Sequence, residues 1–249
     1  MTGYNPFTLE GRTILVVGAS SGIGQTTAVE CSRLGAKVIV CARKAEALQN
    51  TLGMLEGEGH QMILAELTSH DDVERLATEC PVIDGLVLSA GKGLTLPFQF
   101  ATKERYDDIM SINFFSPVET LRLLLKKKKI AKGASVVFVS SVGGVRVYNV
   151  GGAIYGASKS AIDATMKFCA KELAPKKIRV NSVNPGMTKT KLIDRGTLTE
   201  EQFEADAEKY PLKRYGETID IALGIIYLLS DASSWVTGQA LCIDGGISI

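Results

Sequence analysis

Val16-Val17-Gly18-Ala19-Ser20-Ser21-Gly22-Ile23-Gly24 reads VVGASSGIG. Three parses are open. Gly18-Ala19-Ser20-Ser21-Gly22 fits G-x-S-x-G, the elbow that presents a nucleophilic serine in hydrolases. The glycines Gly18, Gly22 and Gly24 also suit a loop that admits a pyrophosphate. The third parse is a plain tight turn. The flanks discriminate between them. Thr13–Val17 is an apolar, β-branched run and Gly22–Leu34 has a helical pattern, so the loop joins a first strand to a first helix. That is the setting dinucleotide binding requires. Glycine lets the backbone approach phosphate, and the helix N-terminus supplies free N–H donors and partial positive charge. The hydrolase parse needs a histidine late in the chain. His60 and His70, the only two, lie early and read as surface residues. No Walker A Gly-Lys-Ser/Thr follows the loop.

The same rhythm continues through the chain of 249 residues. Further strands are predicted over Lys37–Cys41, Gln61–Ala65, Gly85–Ser89, Ala134–Ser140, Ile178–Val183 and Ala240–Ile243. Several are almost wholly apolar, as strands buried on both faces are. Helical segments lie between them, over Lys44–Leu55, Asp71–Glu79, Lys103–Lys129, Ile154–Leu173 and Thr218–Ser230. Ser69 is a candidate cap for the one that carries Asp71 and Asp72 in its first turn. The alternation predicts an α/β fold: a Rossmann-type doubly wound sheet of about seven parallel strands, helices on both faces, one domain over 1–249. Met187 to Tyr215 breaks the rhythm. It is charged and poor in strand signals, and Thr199-Glu200-Glu201-Gln202 carries a capping-box pattern for a short helix. A long excursion at a sheet's carboxyl edge predicts a substrate lid over 187–215.

Composition excludes several classes. The net charge of +1 gives no field for nucleic acid or an anionic membrane. Lys126-Lys127-Lys128-Lys129 reads as a solvated helix end. Five cysteines, an odd number without CxxC spacing, exclude a disulfide framework and a structural zinc site, so no metal is expected. The polar start lacks a signal-peptide core and no apolar run is long enough to span a membrane, which points to the cytoplasm.

The second strand ends in Val40-Cys41-Ala42-Arg43-Lys44. A carboxylate there would hold a ribose 2′-hydroxyl; cations suit a 2′-phosphate. NADP(H) is therefore favoured over NAD(H), with Arg43 and Lys44 as its contacts.

The chemistry concentrates downstream. In a helix, Tyr155 and Lys159 lie one turn apart on one face, in line with Ile162, Met166, Cys169 and Leu173. A lysine on an apolar stripe is costly unless it has partners or a task. An ammonium near a phenol favours the phenolate and lowers its pKa, so Tyr155 is a candidate general acid/base. Ser140 and Ser141 emerge at the carboxyl end of a buried strand, where doubly wound folds place ligands. Pro117, inside a helical pattern, has no N–H for the carbonyl of Asn113, which predicts a kink and a free acceptor there.

Taken together, Gly18-x3-Gly22-x-Gly24, Asn113, Ser141, Tyr155-x3-Lys159, Asn184-Pro185-Gly186 and the tail from Val236-Thr237-Gly238 to Asp244-Gly245-Gly246 resemble the short-chain dehydrogenase/reductase family in its single-domain form. Nearly the whole chain is covered. The wording and size are most similar to 3-oxoacyl-[acyl-carrier-protein] reductases. The resemblance implies an NADPH-dependent oxidoreductase acting on a carbonyl or secondary alcohol. It implies that Tyr155 protonates the carbonyl oxygen, that Lys159 lowers its pKa and binds the nicotinamide ribose, and that Ser141 polarises the carbonyl. Asn113 would hold a relay water through its main-chain carbonyl. Ser20, Ser21 and Ile23 would join the three glycines on the cofactor. Glu66, Leu67, Ala90 and Gly91 would lie beside it, and Pro185, Gly186, Thr188 and Thr190 would contact the carboxamide. It also implies a homotetramer or homodimer with a small-molecule substrate. The chain departs from the family pattern at Val17, at Ser89 in place of the usual asparagine, at Glu66, and by one extra residue between Ser141 and Tyr155. The longer gap, through Arg146 to Val150, would alter the pocket wall, and Val147, Val150, Leu192 and Ile193 suggest a partly apolar pocket. Hydroxysteroid and sugar-alcohol dehydrogenases share these motifs. A non-catalytic NADP-binding sensor or scaffold is the alternative from another class.

Overall fold

Along the first strand, successive side chains enter two different apolar layers. Leu15 and Val17 pack in one core cluster, Ile14 and Val16 in the other. This period of two is what a strand buried on both faces produces. The computed structural model describes residues 4–190 and 199–249. Among these, the strands are β1 (Thr13–Val17), β2 (Lys37–Ala42), β3 (Gln61–Leu64), β4 (Ile83–Leu88), β5 (Ile130–Val139), β6 (Arg179–Pro185) and β7 (Ala240–Ile243). The helices are α1 (Gly22–Arg33), α2 (Ala45–Leu52), α3 (His70–Glu79), α4 (Lys103–Met110), α5 (Ser116–Lys126), α6 (Ala153–Leu173), α7 (Glu200–Ala207) and α8 (Thr218–Leu229).

All seven strands pair in parallel in the order β3-β2-β1-β4-β5-β6-β7. Residues of α1, α2 and α8 cover one face; residues of α3, α5 and α6 cover the other. The expected doubly wound sheet is therefore what the chain builds. The strand order reverses between β1 and β4, and ligands in such sheets bind outside the carboxyl ends at that switch.

Three local readings change. The helix expected over 103–129 is two helices joined by a π turn at Ser111–Phe115. There the Ser116 N–H donates to Ser111, five residues back. Pro117, at the start of α5, has no N–H to continue an α ladder onto Asn113, and the π turn immediately precedes it. β5 starts earlier than its apolar run because Ile130 pairs with Ile83 ahead of a bulge. His60 is not a free surface residue: its Nδ1 accepts from the Val38 N–H at 3.0 Å and its Nε2 lies 2.9 Å from the Glu56 carbonyl.

Other expectations stand. Ser69 caps α3 through the Asp72 N–H, and Thr199 with Gln202 forms the capping box of α7. The lysine run does end α5. Lys127 pairs with Glu74 at 3.2 Å and Lys129 reaches the Thr78 carbonyl at the last turn of α3, where cations complement the helix dipole.

Candidate active site

The glycine loop leaves β1 and is pinned at once. The N–H groups of Gly18 and Ala19 both donate to the Cys41 carbonyl of β2, and the Thr51 hydroxyl donates to the Ala19 carbonyl. Gly18 has φ +88°, and a Cβ on it would meet the Ala90 nitrogen at 2.5 Å. A Cβ on Gly24 would collide with the Gly18 carbonyl. The loops after β1 and β4 thus touch through bare backbone, with α1 close behind. Ser21 is the N-cap of α1 but makes no side-chain cap. The first-turn N–H groups are left to face the crevice, as an anion site requires.

Around this loop lie the other expected contacts. Arg43 follows β2 and Glu66 follows β3, with Nη1 and Oε2 3.4 Å apart. Lys44 starts α2 at the surface. Leu67 is buried, its carbonyl 2.8 Å from the Ser116 hydroxyl. After β6, Gly186 donates to the Ile243 carbonyl and the Thr188 hydroxyl donates to the Gly186 carbonyl. A Cβ on Gly22 would sit 3.3 Å from Thr190 Cγ2, so the chain after β6 passes over the glycine loop. The base of the long excursion is closed by the bridge between Thr188 and Gly216. Leu192 and Ile193 lie outside the described residues, as does part of the expected lid, 191–198.

The candidate catalytic side chains meet at the carboxyl ends of β4 and β5. Asn113, 1% exposed, accepts from the Lys92 N–H at 2.8 Å and donates to the Lys92 carbonyl and to Ser158 Oγ, both at 3.0 Å. Its side chain therefore locks the loop after β4 to α6. Lys159 Nζ donates to the Val139 carbonyl at 2.9 Å and lies 5.8 Å from the centroid of the Tyr155 ring. A Cβ on Gly91 would sit 3.4 Å from both Lys159 Nζ and Asn113 Oδ1. Ser141 Oγ accepts from the Gly143 N–H at 3.1 Å, and a Cβ on Gly143 would sit 3.3 Å from Ser141 Oγ and 3.8 Å from Tyr155 Cε1. Ser140 points elsewhere, donating to the Lys159 carbonyl.

Electrostatics alter one expectation. Burial pushes the Tyr155 phenol above its ordinary value, and the Ser141 hydrogen bond pulls it down by less. The expected lowering by Lys159 is not what the protein's own groups produce. The ammonium is itself disfavoured by burial and brought down to about 8, against the raising effect of Asp163. Desolvation is the largest influence on both groups.

A family profile described as Enoyl-(Acyl carrier protein) reductase matches residues 18–248. A 3-oxoacyl-[acyl-carrier-protein] reductase of Rickettsia felis is 32% identical over 96% of this chain and 98% of its own. The chain belongs to the short-chain dehydrogenase/reductase family. A tropinone reductase homologue of Arabidopsis thaliana is 34% identical, covering 98% of this chain and 92% of its own. The Pseudomonas aeruginosa RhlG/NADP active-site complex superposes with a TM-score of 0.92 at 31% identity, over 99% of this chain and 100% of that one.

As a short-chain dehydrogenase/reductase, the protein is an oxidoreductase of small molecules that uses a nicotinamide cofactor. The cradle fits such a group: bare backbone at Gly18 and Gly24, free helix N–H groups, and cations after β2. Sequence reasoning missed several participants. Ser158 holds Asn113, and Asp163 with Ser182 forms a buried network against Asn184. Asp163 carried one available signal: it stands four residues after Lys159 on a helix with a buried face.

Proposed function

We propose that the protein is an NADPH-dependent carbonyl reductase, working in the cytoplasm as a homotetramer, with 3-oxoacyl thioesters as its first candidate substrates. The convergence of Ser141, Tyr155 and Lys159 beside Gly91 and the glycine loop carries this reading. The Rickettsia relative's name supports the thioester, and cyclic ketones follow from the tropinone reductase homologue.

Glycines 18, 22 and 24, Ser20, Ser21 and Ile23 hold the pyrophosphate side, and Ala90, Gly91, Pro185, Gly186, Thr188 and Thr190 the nicotinamide side. Arg43 and Lys44 select the 2′-phosphate. When bound, the cofactor supplies a hydride to the carbonyl carbon. Ser141 Oγ orients the carbonyl oxygen. Tyr155 gives that oxygen its phenolic proton as charge develops. A phenol held above its ordinary value keeps its proton at neutral pH, which suits the reductive direction. Lys159 is fixed by Val139 and grips the ribose. Asn113 presents its main-chain carbonyl to a water that replenishes the proton, at the place where Pro117 interrupts the helix. Phe115 and Phe168, both exposed, supply apolar surface for subunit contacts, and the five cysteines are free, as a reducing compartment keeps them.

A panel of 3-oxoacyl thioesters, cyclic ketones and keto-sugars, followed by NADPH absorbance with NADH as control, tests the reading. Turnover that survives Tyr155→Phe would refute the mechanism, and equal rates with NADH would refute the role of Arg43.

A further inference from the structure

A buried carboxylate stands behind the catalytic groups. Asp163 lies one helical turn beyond Lys159 on α6 and is 4% exposed. Its Oδ1 accepts from Ser182 Oγ at 2.7 Å and its Oδ2 from Asn184 Nδ2 at 2.6 Å. Asn184 Nδ2 also reaches the main-chain carbonyl of Ser141 at 3.3 Å. One carboxylate thus ties β6 to α6 and, through Asn184, to the residue whose hydroxyl meets Tyr155. Both direct partners are neutral. A buried charge needs compensation, and the cation that feels Asp163 is Lys159.

We propose that Asp163 is a positioning residue for the reaction, fixing Ser141 through Asn184 and holding Lys159 as a cation with the same carboxylate. The inference rests on the roles given above to Ser141, Tyr155 and Lys159. Ser182 and Asn184 both donate, one to each carboxylate oxygen, a pairing that a neutral amide with its single acceptor oxygen does not reproduce. The balance with Lys159 depends on the charge itself.

The titratable neighbours are few among the described residues. α6 contributes Tyr155. β7 contributes Cys242, which feels Asp163, Asp244 and Arg146. The loop after β4 faces Lys159 with Gly91, β5 with Val139 and Ser140, and β6 faces Asp163 with Ser182 and Asn184, none of them ionisable.

The test compares wild type, Asp163→Asn and Ser182→Ala. The first change removes the charge and one of the two acceptors; the second removes one hydrogen bond to the same carboxylate and keeps the charge. Lys159 sits at about 8 in the folded chain, below its ordinary 10.5. Unfolded chains therefore bind more protons between these values, and stability from this group rises with pH across that window. Without Asp163, the cation is lost earlier. The rise in the thermal midpoint of the ligand-free protein should begin about one pH unit lower in Asp163→Asn. It should stay in place in Ser182→Ala. In NADPH-dependent turnover, kcat of Asp163→Asn should fall about tenfold or more, with its pH profile displaced the same way, as loss of a charge-assisted contact implies. Asn184→Ala cuts the link to Ser141 without touching the charge, so kcat should fall and the thermal profile should keep its position. It keeps the test decisive if Asp163→Asn does not fold: unchanged kcat there overturns the proposal. So does an Asp163→Asn thermal profile that coincides with wild type, or a Ser182→Ala profile that moves equally. A wild-type protein without any turnover would instead sink the catalytic reading. The two failures are distinguishable because the thermal profiles need no substrate.

Discussion

Arg43 Nη1 and Glu66 Oε2 lie 3.4 Å apart across the carboxyl ends of β2 and β3. Both side chains are exposed, so the pair itself contributes only about 0–1 kcal/mol. A dianionic phosphate on the ribose would compete with Glu66 for the same guanidinium. Arg43→Ala should weaken NADPH binding about tenfold, the scale of a lost charge-assisted contact, and leave NADH binding unchanged. Glu66→Gln should tighten NADPH by a factor of about two to five, the upper range of an exposed pair. Nicotinamide fluorescence titrations with both cofactors measure this. Equal losses for NADPH and NADH in Arg43→Ala would rule out phosphate recognition by Arg43.

Tyr155→Phe removes the proton donor and keeps the ring that packs beside Ser141 and Lys159. kcat should fall about 10²- to 10⁴-fold, the range general acid catalysis supplies. Cofactor affinity should hold. Single-turnover absorbance and a binding titration on the same preparation separate the two effects.

Asn113→Ala leaves the Lys92 N–H, the Lys92 carbonyl and Ser158 without their partner. Each of these hydrogen bonds contributes about 0.5–1.5 kcal/mol, and Ser158 keeps its bond to the Tyr155 carbonyl. The thermal midpoint should drop by about 2–4 °C for every kcal/mol lost in a chain of this size. Calorimetry shows the drop. A midpoint equal to wild type would mean that Asn113 does not lock the loop after β4 to α6.

Lys159→Met tests the cost of the buried ammonium. Its folded value, about 8, is depressed below 10.5, so the charged form is penalised on folding. The penalty is complete below about 8 and disappears as pH rises toward 10.5. The variant should lose turnover, and the thermal midpoint of wild type should gain on that of the variant as pH rises through that window. A gap that does not change with pH would show that packing, not charge, sets it.

Much of this was readable along the chain because it is local. β1 and β5 are apolar runs of strand length, Gly18, Gly22 and Gly24 follow a strand at once, and Tyr155 and Lys159 share a helix face. The contacts that escaped are between elements. Asp163 looks like an ordinary polar helix residue until β6 brings Ser182 and Asn184 against it. His60 looks superficial until the β2 edge presents Val38. Spacing placed a lysine near a phenol and suggested a lowered pKa. It could not weigh that attraction against desolvation, which depends on depth. The start of β5 escapes the pattern because Lys132 and Gly133 interrupt the apolar run, although Ile130 pairs with Ile83 ahead of the bulge.

The π turn at Ser111–Phe115 inserts one extra residue into an otherwise helical rod running from α4 to α5. One residue is about 100° of rotation about the axis. The rod therefore carries two apolar stripes out of phase, with Ile109 facing inward before the turn and Thr120, Leu121 and Leu124 facing inward after it. Deleting any one residue of the turn would rotate one half against the other, turning either Leu124 toward water or Asn113 away from Ser158. Length here is tied to phase: a one-residue change that an exposed loop absorbs would, in this rod, uncouple the core of α5 from the chemistry of α6.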